Sequence, residues 1–162
     1  IFKNWELKIV GPSEIGHQKQ LETLVKKLNL QRVFFSPPVY GAKKDILISK
    51  CDLFVLPSKS ENFALTVAES LVLEVPVIAT KDTPWSGLNV HRCGFWIEGG
   101  ENSLVESLKA MLSLPNKELF DMGQRGKKWM QKDFSWETIC QKTLEAYMWI
   151  TKKSKKPNFV HL

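Results

Sequence analysis

Leu53, Phe54, Val55 and Leu56 form an uninterrupted apolar run closed by Pro57. A strand that is apolar at successive positions needs cover on both faces, as strands of parallel sheets have. Four further segments read as strands: Leu7–Val10, stopped by Gly11 and Pro12; residues 33–35, closed by Pro37 and Pro38; and residues 77–79 and 95–97. Helical spacing fills the gaps. Residues 20–28 carry Leu21, Leu24, Val25 and Leu28 on one stripe, and residues 45–50 turn Ile46, Leu47 and Ile48 inward. Three helices near 102–113, 116–131 and 136–151 follow, the last with Ser135 as its N-cap. This alternation predicts an α/β fold with a doubly wound, Rossmann-like parallel sheet, in which ligands bind beyond the carboxyl ends of the strands.

At such an end stand two acids, Glu61 and Glu69. With a helix starting near Phe63, Glu69 lies about 9 Å further along the axis at 1.5 Å per residue. Two carboxylates then bracket a helix N-terminus whose free amides attract phosphate. The spacing suits a nucleotide sugar, with one acid on the sugar hydroxyls, one on the ribose and the diphosphate between them. An acid at a helix N-terminus is also explained by the macrodipole alone, at about 0.3–1 kcal/mol. Leu65, Ala68, Leu71 and Val72 predict a helix buried on most sides, where the Glu69 carboxylate needs a partner.

The segment from Ser58 to Thr80 resembles the signature of retaining glycosyltransferases of the family-4 type. That signature has a Ser-rich strand end, Glu, Gly-Phe-Gly, a second Glu after seven intervening residues, and Gly-x-Pro-Val-Ile-Ala-Thr. Four more segments match in order: Leu7 to Pro12 as a strand and glycine turn, Arg32 to Phe35 as the next strand, Val39 to Gly41 as the loop after it, and Phe134 to Glu137 as the start of the last helix. The resemblance covers roughly residues 6–150. It implies the C-terminal, nucleotide-sugar-binding half of a two-domain GT-B enzyme, lacking its first β-α unit because the chain opens at Ile1 just before the strand that follows that unit. Residues 1–150 are then the donor domain and 151–162 a basic tail.

By the same resemblance Glu61 is the catalytic-site acid on the donor sugar, and Glu69 binds the ribose. Asn62, Phe63, Ala64 and Leu65 present backbone amides to the diphosphate, Gly11 faces the donor and Val39 lies beside the nucleobase. The implied reaction moves a hexose from a nucleotide diphosphate donor to a saccharide or lipid-linked acceptor in surface polysaccharide biosynthesis, with no metal and no cofactor. Two alternatives stay open, a non-catalytic nucleotide-sugar-binding module and a nucleotide-sugar epimerase of the same architecture. Asn62, Ala64 and Glu74 stand where the family has glycines. Asn tolerates a left-handed backbone, whereas Ala64 fits only if that position is already helical.

Other features are less specific. Gly11 and Pro12 also fit a simple turn, and Val39 to Gly41 an ordinary loop. His17 and His91 lack partners at metal-ligand spacing and read as surface residues. Thr83, Pro84 and Trp85 fit either a cover over the donor pocket or an aromatic packed under a loop. Dinucleotide and P-loop glycine motifs, a serine nucleophile elbow and paired cysteines are missing.

Composition narrows the classes further. The 162 residues, 43% hydrophobic and 25% charged, suit an ordinary soluble domain. No stretch approaches 18 apolar residues, so neither a spanning helix nor a secretory leader is expected. Cys51, Cys93 and Cys140 form no close pair, which predicts a reduced, cytoplasmic protein with buried thiols. The net charge of +6 looks like a nucleic-acid signal, yet four of the 23 basic residues are Lys152, Lys153, Lys155 and Lys156. Without the tail the chain is nearly neutral, and no nucleic-acid face is expected. The tail reads as a solvated terminus or as a contact with the inner face of the cytoplasmic membrane through anionic lipid. The remaining partners are the donor, the acceptor and the N-terminal domain.

Overall fold

The computed structural model describes residues 2, 4–13 and 16–160. Ile1, on which the expectation of an absent first β-α unit rests, lies outside the described residues, as do the last two residues of the tail. Two compact units divide between Leu47 and Ile48.

In the first unit, β1 (Leu7–Val10), α1 (His17–Lys27) and β2 (Val33–Ser36) form a parallel pair with a crossover helix, Leu7 opposite Val33 and Val10 opposite Ser36. The amide of Gly11 donates to the Ser36 carbonyl at 3.3 Å and extends the pairing. Of the expected α1 stripe, Leu21 and Val25 are half-buried, while Leu24 and Leu28 are exposed. The helix closes on Asn29 in a left-handed conformation, its amide on the Lys26 carbonyl and that of Leu30 on the Val25 carbonyl, a Schellman turn without glycine.

Helix α2 (Ala42–Ser49) crosses the division and begins earlier than residue 45, directly after a left-handed Gly41. Ile48 is buried and Leu47 half-buried, but Ile46 is 56% exposed. At 100° per residue, three consecutive side chains span too wide an arc to share one face.

The second unit holds a parallel sheet in the order β3-β4-β5, with β3 at Phe54–Leu56, β4 at Val77–Thr80 and β5 at Gly94–Ile97. Phe54 pairs with Val77, and Val77 with Gly94. Here the sequence reading needs correction. The strand covered on both faces is β4, whose four residues are all buried, whereas β3 is an edge of this sheet and only half-buried. A continuous apolar run marks burial without saying which strand is central.

Five helices complete the unit: α3 (Leu65–Val72), α4 (Gly87–Val90), α5 (Glu101–Leu112), α6 (Asn116–Asp133) and α7 (Trp136–Ile150). The core joins Val67 and Leu71 of α3, Val77 and Ala79 of β4, Trp85, Leu88, Cys93, and Trp129 and Met130 of α6. Helix α3 is therefore buried along one face rather than on most sides, and Leu65 and Val72 point outward.

It ends in a second Schellman turn, with the Glu74 amide on the Leu71 carbonyl and the Val75 amide on the Ser70 carbonyl. Glu74 takes the left-handed position at φ 65. Its carboxylate is bonded by Gln124 and, at 2.6 Å, by Lys127, both on α6. These contacts offset a backbone cost of roughly 1–2 kcal/mol that glycine would avoid.

Ser135 caps α7 as expected, its hydroxyl oxygen accepting from the Thr138 amide at 3.2 Å. No residue of α7 is fully buried, and Trp136, Ile139, Tyr147 and Ile150 leave an apolar stripe exposed at helical spacing, with Leu144 and Met148 exposed to one side of it. Trp149 lies on another face and is half-buried.

Candidate functional site

The loop from Pro57 to Ala64 joins the carboxyl end of β3 to α3, and it is tied to the loop after β4. The Thr80 hydroxyl donates to the Ser58 carbonyl, the Thr83 hydroxyl to the Thr80 carbonyl at 2.7 Å, and the Glu61 amide to the Asp82 carbonyl at 3.3 Å. Ser58 in turn donates its hydroxyl to Glu61 Oε1 at 3.0 Å. Glu61 is thus held half-buried by both its backbone and its carboxylate.

Asn62 is exposed and Phe63 partly so. The Phe63 carbonyl accepts from the Trp85 indole Nε1 at 2.5 Å, and its ring meets Trp85 at 5.0 Å and Phe134 at 6.0 Å. Ala64 follows at φ 60, ψ 66, left-handed rather than helical as its side chain required, and α3 begins only at Leu65. A left-handed residue followed by a right-handed one turns consecutive N–H groups into one concavity that suits anions. Those groups are the amides of Ala64, Leu65 and Thr66. No side chain caps this terminus, and the amide of Val67 closes on the Ala64 carbonyl at 2.9 Å.

Glu69 stands one turn into α3, about 6 Å from Leu65 along the axis. It is half-buried, with its Oε2 atom inside. The later helix start brings it nearer the amides than expected from a start at Phe63.

Beyond the ends of β3, β4 and β5 opens a cavity of about 290 Å³, lined by Ser58, Thr80, Asp82, Gly99, Gly100 and Leu104 among others. Neither Glu61 nor Glu69 lines it, but Ser58 and Asp82, which bond Glu61, do. A larger open groove of about 460 Å³ runs along the polar face of α7, over Gln141 and Glu145 and against Phe159.

The second unit therefore brings together Glu61, Asn62, Phe63, Ala64, Leu65 and Glu69. Gly11 and Val39 belong to the first unit, at and just beyond the carboxyl ends of β1 and β2. Trp85, only 1% exposed, packs under the loop and does not cover the site. Sequence reasoning missed Ser58, Thr80 and Asp82, which fix Glu61, and Thr66, which shares the amide concavity. Their partners lie up to 22 residues away, beyond any local pattern.

The cysteines divide. Cys93 is buried beside the Leu88 carbonyl and its thiol is pushed up to about 12 by loss of solvent, while Cys140 is exposed, against the expectation of buried thiols throughout. His91 stacks on Trp129 at 4.5 Å. Among the described residues no helix is long and apolar enough to cross a membrane.

Residues 1–129 match the family of Glycosyl transferases group 1. The chain belongs to that family.

An uncharacterized glycosyltransferase of Methanocaldococcus jannaschii is 27% identical over 151 residues, covering 89% of this chain and 40% of its own length. Sucrose-phosphate synthase from Thermosynechococcus elongatus superposes with a TM-score of 0.74 at 24% identity, over 92% of this chain and 39% of that one. Anabaena HepE, solved in complex with UDP, gives 0.72 at 22% identity, over 88% and 40%. The chain spans about two fifths of the length of these relatives. Its fold is that of the C-terminal domain of GT-B glycosyltransferases. Of the three positions where the resemblance implies glycines, Ala64 and Glu74 have a left-handed backbone and Asn62 does not.

Proposed function

We propose that the chain is the donor-binding part of a retaining glycosyltransferase that moves a hexose from a nucleotide diphosphate sugar to a saccharide or lipid-linked acceptor. The observation that carries this is the amide concavity of residues 64–66, flanked by Glu61 and Glu69 at the carboxyl ends of parallel strands. In the reaction the bond from the anomeric carbon to the diphosphate breaks, the diphosphate leaves with the electron pair, and the acceptor oxygen forms the new bond and gives up its proton to the departing diphosphate. The amides of residues 64–66 take the charge that grows on the diphosphate, a fixed set of dipoles aimed at the leaving group. Glu61 accepts from sugar hydroxyls and Glu69 from the ribose. HepE, with UDP bound, supports a nucleoside diphosphate as the common ligand.

The acceptor is held by an N-terminal domain, and the role is in surface polysaccharide synthesis at the inner face of the cytoplasmic membrane. The exposed stripe of α7 and the exposed lysines 152, 153, 155 and 156 favour that location.

Titration of the 162-residue chain with UDP, GDP and ADP, followed by the amide resonances of residues 64–66, tests the reading. Weak binding of one nucleotide with shifts at those amides is expected, and no transfer, because transfer needs both reactants held in register. Absence of binding by all three nucleotides overturns the donor role. Acceptor-dependent turnover by this chain alone overturns the assignment of acceptor binding to a separate domain.

A further inference from the structure

Trp85 is not adjacent to the amide concavity in sequence and does not reach its open side, yet its indole is bonded to the peptide that forms it. In a trans peptide the carbonyl and the N–H point in opposite directions across one plane, and no cis peptide occurs among the described residues. The Phe63 carbonyl points at Trp85 Nε1, 2.5 Å away in the interior. The N–H of the same peptide, that of Ala64, therefore points outward, away from the core.

Trp85 has little freedom to release that carbonyl. Trp129 meets it edge-on at 5.6 Å and Phe134 at 5.6 Å on another side. Trp129 reaches this position because Gly87 has no side chain, since a Cβ there would lie 2.3 Å from its ring. Four aromatic rings from three parts of the chain, Phe63, Trp85, Trp129 and Phe134, thus fix one peptide plane. That plane sets the left-handed turn at Ala64, which a non-glycine residue adopts only when its surroundings impose it.

We infer that Trp85 is a positioning residue for the diphosphate site: its indole N–H holds the Phe63–Ala64 peptide so that the Ala64 amide stays aimed at an anion. The inference rests on the donor-binding reading above. It also predicts a response in Trp85 itself. An anion accepting from the Ala64 N–H polarises the peptide, strengthens the Phe63 carbonyl as an acceptor and tightens the buried indole bond.

The test uses the 162-residue chain with whichever of UDP, GDP or ADP it binds. On titration the Trp85 indole N–H resonance is expected to move downfield together with the amides of residues 64–66. Trp85→Phe keeps a ring in the cluster and removes the donor, and should weaken the nucleotide by about tenfold, the scale of one lost hydrogen bond. Met111→Ala opens the core away from the aromatic cluster and should leave affinity close to wild type at a similar loss of melting temperature. Amide shifts at residues 64–66 with a stationary indole signal overturn the positioning role while the donor reading stands. Equal losses of affinity in the two variants overturn it as well. A wild-type chain that binds none of the nucleotides overturns the donor reading and the positioning role with it.

Discussion

A Cβ on Gly123 would lie 1.8 Å from the backbone oxygen of Glu74, so α6 rests on the last turn of α3 only because position 123 has no side chain. Backbone on backbone leaves nothing flexible to give way. Gly123→Ala should therefore cost about 3 kcal/mol, the upper range for overpacking. Urea denaturation measures it, and a loss within experimental error would mean that α6 and α3 sit further apart.

The left-handed residues at the two ends of α3 should respond differently to glycine. Ala64 makes no side-chain hydrogen bond there, so Ala64→Gly removes backbone strain and should raise stability by up to about 1 kcal/mol. Glu74→Gly removes the same kind of strain but also the bonds to Gln124 and Lys127, and its net change should be the smaller or a loss. Thermal melts of both variants compare them, and a destabilised Ala64→Gly would contradict the backbone assignment.

The two carboxylates separate nucleotide binding from turnover. Glu69→Gln replaces a charged acceptor of ribose hydroxyls with a neutral amide and should weaken nucleoside diphosphate binding by about 1–3 kcal/mol. Glu61→Gln should leave nucleotide affinity nearly unchanged and lower turnover in the complete enzyme, because its partner is the sugar. Calorimetry on both variants decides, and equal losses of affinity would refute the division of roles.

Much of this was legible in the sequence, and the failures share a cause. Each strand was found because short apolar runs between turn residues have few other uses. Residues 53–56 are only half-buried and residues 77–79 fully buried, although the two runs are equally apolar, because neighbours in space decide which is covered. Helix ends were blurred because Asn29, Glu74, Arg92 and Lys152 take the left-handed positions where glycine is the usual signal. At the site, Glu61 and Glu69 stood out through their spacing, while Trp85 did not, since its contact to Phe63 spans 22 residues and uses a carbonyl that no residue type advertises.

Cys93 gives a pH signature with a definite sign. Its thiol is raised from 9.0 to about 12 by burial, so the folded state disfavours the thiolate that the unfolded chain forms near pH 9. This contribution to stability is complete below pH 9 and is lost as pH rises towards 12. Cys93→Ala should have a shallower fall in unfolding free energy over that window than the wild type. In the native chain at pH 8 a thiol reagent should label exposed Cys140 first and Cys93 only after unfolding. Rapid native labelling of Cys93 would refute its burial.

The tail and α7 together make the membrane reading testable. Helix α7 leaves Trp136, Ile139, Tyr147 and Ile150 exposed along one stripe, and four exposed lysines without a neighbouring acid follow it. Near an anionic surface each lysine contributes about 1 kcal/mol, roughly 4 kcal/mol together at low salt, and screening over about 8 Å at physiological ionic strength reduces this. Trp149 is half-buried on another face, so Trp136 and Tyr147 are the aromatic residues placed to meet headgroups. The chain should co-sediment with vesicles containing phosphatidylserine and not with purely zwitterionic ones. Added salt should weaken the association, and so should Trp136→Ala. Changing all four lysines to glutamine should abolish it. Pelleting that ignores lipid charge, or that survives the four substitutions, would remove the membrane contact and leave the apolar stripe as a seat for protein.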